Sequence, residues 1–161
     1  PEDCFTLMKE LRKKTSLPLL FMTYYNIPFR YGLKAFCQEA KKSGAYGLII
    51  PDMPIDEEPE EHYLKYCRDC ELHAIQVISP ITPSRRLQSI SKSASGFVYC
   101  VSRTGTTGKT KVVPEDLKGY LSRVKRFIKL PLAIGFGISH PQQIKHISQY
   151  ADIAVLGTSL M

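Results

Sequence analysis

The chain has 161 residues, 43% hydrophobic and 23% charged, which is the composition of one ordinary globular domain and excludes a disordered or fibrous segment. Its formal charge is +7, but the basic excess between Arg103 and Lys129 carries no interleaved aromatic platforms and no nucleic-acid motif, so it reads as a solvated face that attracts a small anion. No apolar run approaches the roughly 18 residues of a membrane span and residues 1–4 lack the flanks of a secretory signal, so a cytoplasmic protein is expected.

The predicted elements alternate between helix and strand. Glu2 to Lys14 reads as an amphipathic helix, with Phe5, Leu7, Met8 and Leu11 inward and Lys9, Arg12 and Lys13 opposite. Leu17 to Tyr24 is a first strand, followed by a helix over Gly32 to Ser43 that turns Leu33, Phe36, Cys37 and Ala40 inward. Tyr46 to Ile50 is a second strand. It ends in Pro51-Asp52-Met53-Pro54, where two prolines fix the backbone around an acid suited to binding, to an interface or to capping a helix. Asp56 to Glu71 opens with acids that suit the positive end of a helix dipole and faces Tyr63, Leu64 and Cys67 inward.

Ala74 to Ser79 is a third strand, and Ser84 to Ser91 a short helix opened by Thr82 as cap and Pro83 in the first turn. Gly96 to Val101 is a fourth strand. The polar stretch Ser102 to Lys111 that follows has Gly105 and Gly108 as flexing points, the make-up of a surface lid. Its Gly-Thr-Thr-Gly-Lys-Thr lacks the four-residue gap of a nucleotide P-loop. Pro114 to Phe127 is a helix, Leu132 to Gly135 a strand, Ser139 to Tyr150 a helix with an N-cap serine, and Ile153 to Leu156 a last strand. Six near-continuously apolar strands separated by amphipathic stretches are the pattern of a parallel sheet wrapped by helices, in a single domain.

Five cysteines, with Cys67 and Cys70 in a helical context and no second pair, predict neither a disulfide framework nor a metal site. The chemistry-bearing glycines lie late in the chain. No Gly-x-Gly-x-x-Gly follows the first strand, whereas Gly135-Phe136-Gly137-Ile138-Ser139 and Gly157-Thr158-Ser159 follow the last two. Barrels of alternating strands and helices build their phosphate sites there, from backbone amides and hydroxyls. Two tight turns that merely need glycine would look the same.

The segments 22–32, 47–54, 79–83, 96–108, 135–139 and 157–159, taken in this order and spacing, resemble tryptophan synthase alpha subunits. The resemblance implies a TIM (β/α)8 barrel, here incomplete with about six strands, because residue 1 aligns within a helix beyond the first two strands and the terminal helix beyond Met161 is not represented. The absence of an initiator Met fits a chain that begins partway through a longer protein. The implied activity is a lyase reaction of tryptophan biosynthesis, aldol cleavage of indole-3-glycerol phosphate to indole and glyceraldehyde 3-phosphate. Indole then passes to a beta subunit within an assembly of two alpha and two beta chains. Pyridoxal phosphate belongs to the beta subunit, and the alpha subunit uses neither cofactor nor metal.

Residue by residue, the resemblance places Gly137, Gly157 and Thr158 on the substrate phosphate, with Gly108 of the lid. The family usually has serine where Thr158 stands, and the hydroxyl is kept. The resemblance further implies that Tyr99 lies against the substrate near the catalytic acid, that Thr107 helps close the lid and orients the general base, both as supporting catalytic residues, and that Met22 and Phe136 line the indole pocket, although both also read as core side chains. Tyr24, Asn26, Asp52 and Pro54 belong to loops facing the beta subunit. The reaction needs two carboxylates, one to move a proton and one to stabilise positive charge on the indole nitrogen. In the family they come from a segment resembling Glu-Leu-Gly-x-Pro-Phe-Ser-Asp-Pro and the loop after it, and this sequence contains no such segment. A fragment without them is expected to show no turnover. Two rivals remain: another phosphate-binding barrel enzyme of tryptophan, histidine or thiamine biosynthesis, and an inactive alpha-like partner that binds and activates a beta subunit.

Overall fold

The computed structural model describes residues 1–101, 116–135, 138 and 140–157. They form two compact units, Pro1–Gln76 and Val77–Met161, whose boundary falls inside one strand. The first unit runs α1 (Glu2–Lys14), β1 (Leu20–Met22), α2 (Asn26–Tyr31), α3 (Leu33–Lys42) and β2 (Gly47–Ile49). It continues through a 3-10 turn (Ile55–Glu57), α4 (Glu58–Glu61) and α5 (Tyr63–Asp69) into β3 (His73–Ile78). β1 pairs in parallel with β2, and β2 with β3, so that Phe21 lies opposite Leu48 and Leu48 opposite Ala74. The second unit contains α6 (Ser84–Ser93), β4 (Val98–Val101), α7 (Leu117–Phe127), β5 (Leu132–Gly135), α8 (Pro141–Ile147) and β6 (Ile153–Val155). Here β4 pairs in parallel with β5 and β5 with β6. Parallel neighbours require a crossover, and helical segments supply it each time, which is the predicted βαβ repeat.

The core of the first unit is aromatic. Phe5 of α1 meets Phe21 of β1 edge-on at 5.5 Å between ring centroids and Phe36 of α3 at 5.3 Å, with Tyr31 of α2 at 5.7 Å. Four elements thus converge on one ring, and truncating Phe5 to alanine is expected to cost about 3–5 kcal/mol. The core of the second unit is aliphatic: Leu117, Leu121 and Val124 of α7 and Leu132 and Ile134 of β5 are all buried.

Local chemistry moved several boundaries. The segment predicted as one helix over Asp56 to Glu71 is broken at His62, which adopts a left-handed conformation at φ 56°. The cause lies four residues upstream: the Glu58 carboxylate accepts from the amides of Leu64 (2.6 Å) and Lys65 (3.0 Å), capping a new helix instead of leaving those amides to a continuous one. Asn26–Tyr31, which carried no helical expectation, forms α2, and Gly32 at φ 89° separates it from α3. Helix α8 has His140 as its N-cap, and Ser139, the expected cap, lies outside the described residues. The His140 amide donates to Gln143 Oε1 at 3.0 Å, completing a reciprocal capping box. On α1, Phe5 and Met8 are buried, but Leu7 lies about 200° around the helix from Phe5 and is exposed, as is Leu11. Among the described residues, no helix is long and apolar enough to cross a membrane.

Candidate active site

Strand β4 alternates, burying Val98 and Cys100 on one side and leaving Tyr99 and Val101 half-buried on the other. Tyr99 is in register with Ala133 of β5, yet its side chain leans along that strand to Gly135. A Cβ built on Gly135 would stand 2.1 Å from the Tyr99 hydroxyl oxygen, so the phenol occupies space that any other residue at 135 would take. Burial raises the Tyr99 pKa above the usual phenol value, which keeps the group a neutral hydrogen-bond donor at physiological pH. The arrangement lies at the C-terminal end of β5, the end at which sites on parallel strands are built.

The loop between β3 and α6 is clamped from α7 by two residues that the sequence pattern did not single out. The Tyr120 hydroxyl donates to the Ile78 carbonyl at 3.2 Å. One turn on, the Arg123 guanidinium donates from one nitrogen to the Thr82 carbonyl at 2.8 Å and from another to the Pro80 carbonyl. Inside the loop, the Ser79 amide donates to Thr82 Oγ1 at 2.9 Å, and Thr82 is buried. Thr82, expected to cap α6, therefore stiffens its own loop instead, and the tip residue Ile81 projects with 74% of its surface exposed. Tyr120 and Arg123 are three apart on α7 and share one face. That spacing is the signal in the sequence, but an arginine within a basic stretch reads first as solvated.

In the first unit the loops at the ends of β1 and β2 are tied together. Asp52 Oδ1 accepts at 2.9 Å from the amide of Tyr25, the N-cap residue of α2, so this acid bridges two loops at a helix start. Asn26 begins α2, while Pro54 immediately precedes the 3-10 turn; both are exposed. Tyr24 and Met22 are 68% and 62% exposed, so Met22, at the end of β1, is not a core side chain among the described residues. Gly157 follows β6, and a Cβ there would meet open space, so none of the described residues requires glycine at this position. Thr107, Gly108, Phe136, Gly137 and Thr158 lie outside the described residues.

The profile described as "Tryptophan synthase alpha chain" matches residues 1–161. The chain belongs to the tryptophan synthase alpha chain family. A Petrotoga mobilis tryptophan synthase alpha chain is 42% identical, the match covering 98% of this chain and 60% of that protein. One from Methanocaldococcus jannaschii is 40% identical over 100% of this chain and 57% of that protein. In a crystal structure of the tryptophan synthase complex from Pyrococcus furiosus, the matched chain superposes with a TM-score of 0.86 at 31% identity, covering 99% of this chain and 62% of that one. The chain thus spans about three-fifths of the length of the family members it matches.

Within this family the alternation of parallel strands and helices is a portion of a (β/α)8 barrel. Tyr99 and Gly135, the clamp on the β3–α6 loop, and Gly157 are all features of the second unit. Tyr24, Asn26, Asp52 and Pro54 belong to the first. Among the described residues, no group of three or more His, Cys, Asp or Glu side chains is arranged to hold a metal ion.

Proposed function

We propose that this chain is the substrate-holding part of an alpha subunit that cleaves indole-3-glycerol phosphate to indole and glyceraldehyde 3-phosphate and hands indole to a beta subunit. The observation that carries this reading is Tyr99 laid over the side-chain-free Gly135 at the end of β5, in a chain that matches the family over its whole length. In this reading the neutral phenol borders the substrate, and Gly108, Gly137, Gly157 and Thr158 offer amides and a hydroxyl to the phosphate. Met22 and Phe136 border the indole, and Thr107 orders the lid. Tyr24, Asn26, Asp52 and Pro54 face the beta subunit. These residues bind and orient, while proton transfer falls to two family carboxylates that this sequence does not contain.

The test is indole release by the full-length natural protein supplied with indole-3-glycerol phosphate, with and without a beta subunit. Saturable release that falls when Tyr99 is replaced by alanine is the expected result. Stimulation of the beta subunit without any indole release would instead establish the inactive-partner alternative.

A further inference from the structure

Tyr25 stands between two residues of the partner-facing set, Tyr24 and Asn26, and joins three separate segments of the first unit. Its hydroxyl donates to the Glu61 carboxylate on α4, 36 residues away. Its amide donates to Asp52 beyond β2. Its ring packs against Phe29 of α2 at 5.7 Å between centroids. Burial, and after it the Glu61 carboxylate, raises the phenol above its usual range, so the hydroxyl stays a donor at any physiological pH. The loop held in this way and the helix α2 that follows it turn apolar side chains to solvent: Tyr24, Ile27 and Phe29 are all exposed.

Exposed apolar side chains on a free loop lose backbone and rotamer freedom when a partner covers them, and that loss is subtracted from affinity. A loop already fixed in its bound shape avoids most of it. We infer that Tyr25 is a positioning residue that fixes the β1–α2 loop and the Asp52–Pro54 loop as one preformed surface for the beta subunit. This rests on the partner-facing assignment proposed above. Tyr25 acts through its neighbours, with Glu61 as the anchor. The composition of the loops alone does not reveal this, because Glu61 falls in a run of acids that reads as a helix start.

The experiment is calorimetric titration of the full-length protein with the beta subunit of the same organism. Tyr25→Phe removes the hydroxyl and keeps the ring, and it is expected to raise Kd roughly tenfold. Glu61→Ala is expected to do the same, whereas Glu61→Gln keeps an acceptor oxygen and stays close to the unmutated value. The double variant Tyr25→Phe, Glu61→Ala is expected to be no weaker than either single one, since both remove the same bond. Two outcomes overturn the inference: Tyr25→Phe binding as tightly as the unmutated protein, or losses that multiply in the double variant. If the unmutated protein gives no binding heat or stimulation with the beta subunit, the partner assignment itself fails and the inference falls with it.

Discussion

Gly47 in β2 and Gly135 at the end of β5 are both glycines that a Cβ would crowd, but they are crowded by different things. At Gly47 the nearest atom is the backbone carbonyl oxygen of His73 on the neighbouring strand, 2.4 Å from the Cβ position. At Gly135 it is the hydroxyl of Tyr99, at 2.1 Å. Backbone in a parallel ladder cannot move aside, whereas a tyrosine can swing away. The first glycine therefore serves the sheet and the second leaves room for the Tyr99 phenol. The loops repeat the contrast. Those of the first unit are joined through carboxylates, Asp52 and Glu61, while the β3–α6 loop of the second unit is held through backbone carbonyls gripped by Tyr120 and Arg123.

The largest expected effects come from that pair of glycines. Gly47→Ala should destabilise the protein by about 3 kcal/mol, because overpacking against fixed backbone forces the strands apart. Its activity after refolding should be nearly normal. Gly135→Ala should do the reverse, lowering kcat/KM about 100-fold as Tyr99 is displaced, with a smaller shift in melting temperature. Denaturant melts and indole assays on both variants of the full-length natural protein check this, and a Gly135 variant that loses stability but keeps activity would break the comparison.

Replacing Arg123 comes next in size. Arg123→Met leaves the carbonyls of Pro80 and Thr82 without their donors and should cost about 2 kcal/mol, read from urea midpoints. Lysine, a point charge without the planar fork, should restore only part of it.

Alkaline pH sharpens the contrast from another side. Burial pushes the Cys100 thiol up from 9.0 to about 12 and raises the buried phenols of Tyr63 and Tyr120 above their usual range. Each stays neutral in the folded protein at a pH where the unfolded chain would already ionise. The contribution of Cys100 is therefore complete below pH 9 and is lost as pH climbs from there through about 12, and the two phenols add to the loss once pH passes 10.0. Thermal melts should be flat in this respect from pH 7 to 8.5 and fall steadily above. A melting temperature that holds level at pH 11 would show that these groups are not buried as described. The smallest effect is expected at Lys65 and Asp69, an exposed pair at 2.6 Å on α5. Lys65→Ala should leave the melting temperature where it is.

How far the sequence could be read depends on where each feature gets its energy. Strand β5 lies where its apolar run predicts, Leu132 to Gly135, because burial alone defines it. The run Leu17 to Tyr24 yields only the three residues Leu20–Met22, since strand length is set by ladder partners, and Pro18 has no amide to contribute. The break at His62 was hidden because the apolar residues Tyr63, Leu64 and Cys67 keep helical spacing on either reading. Only the side-chain competition from Glu58 decides the matter. The resemblance singles out Tyr99, but the packing of its phenol over the empty side of Gly135 is not legible, because strand register is not written locally. Arg123 and Tyr25 escaped notice because their partners lie 41 and 36 residues away.

Hydrogen–deuterium exchange on the full-length protein, with one ligand added at a time, tests the division between the units most directly. A glycerol phosphate should slow exchange at residues 135–139 and 156–159 and leave residues 23–30 and 51–57 unchanged. A beta subunit should slow exchange in those two early segments. Protection of the early segments by the phosphate compound, or no protection near Gly137 and Gly157 at saturating ligand, would contradict the assignment.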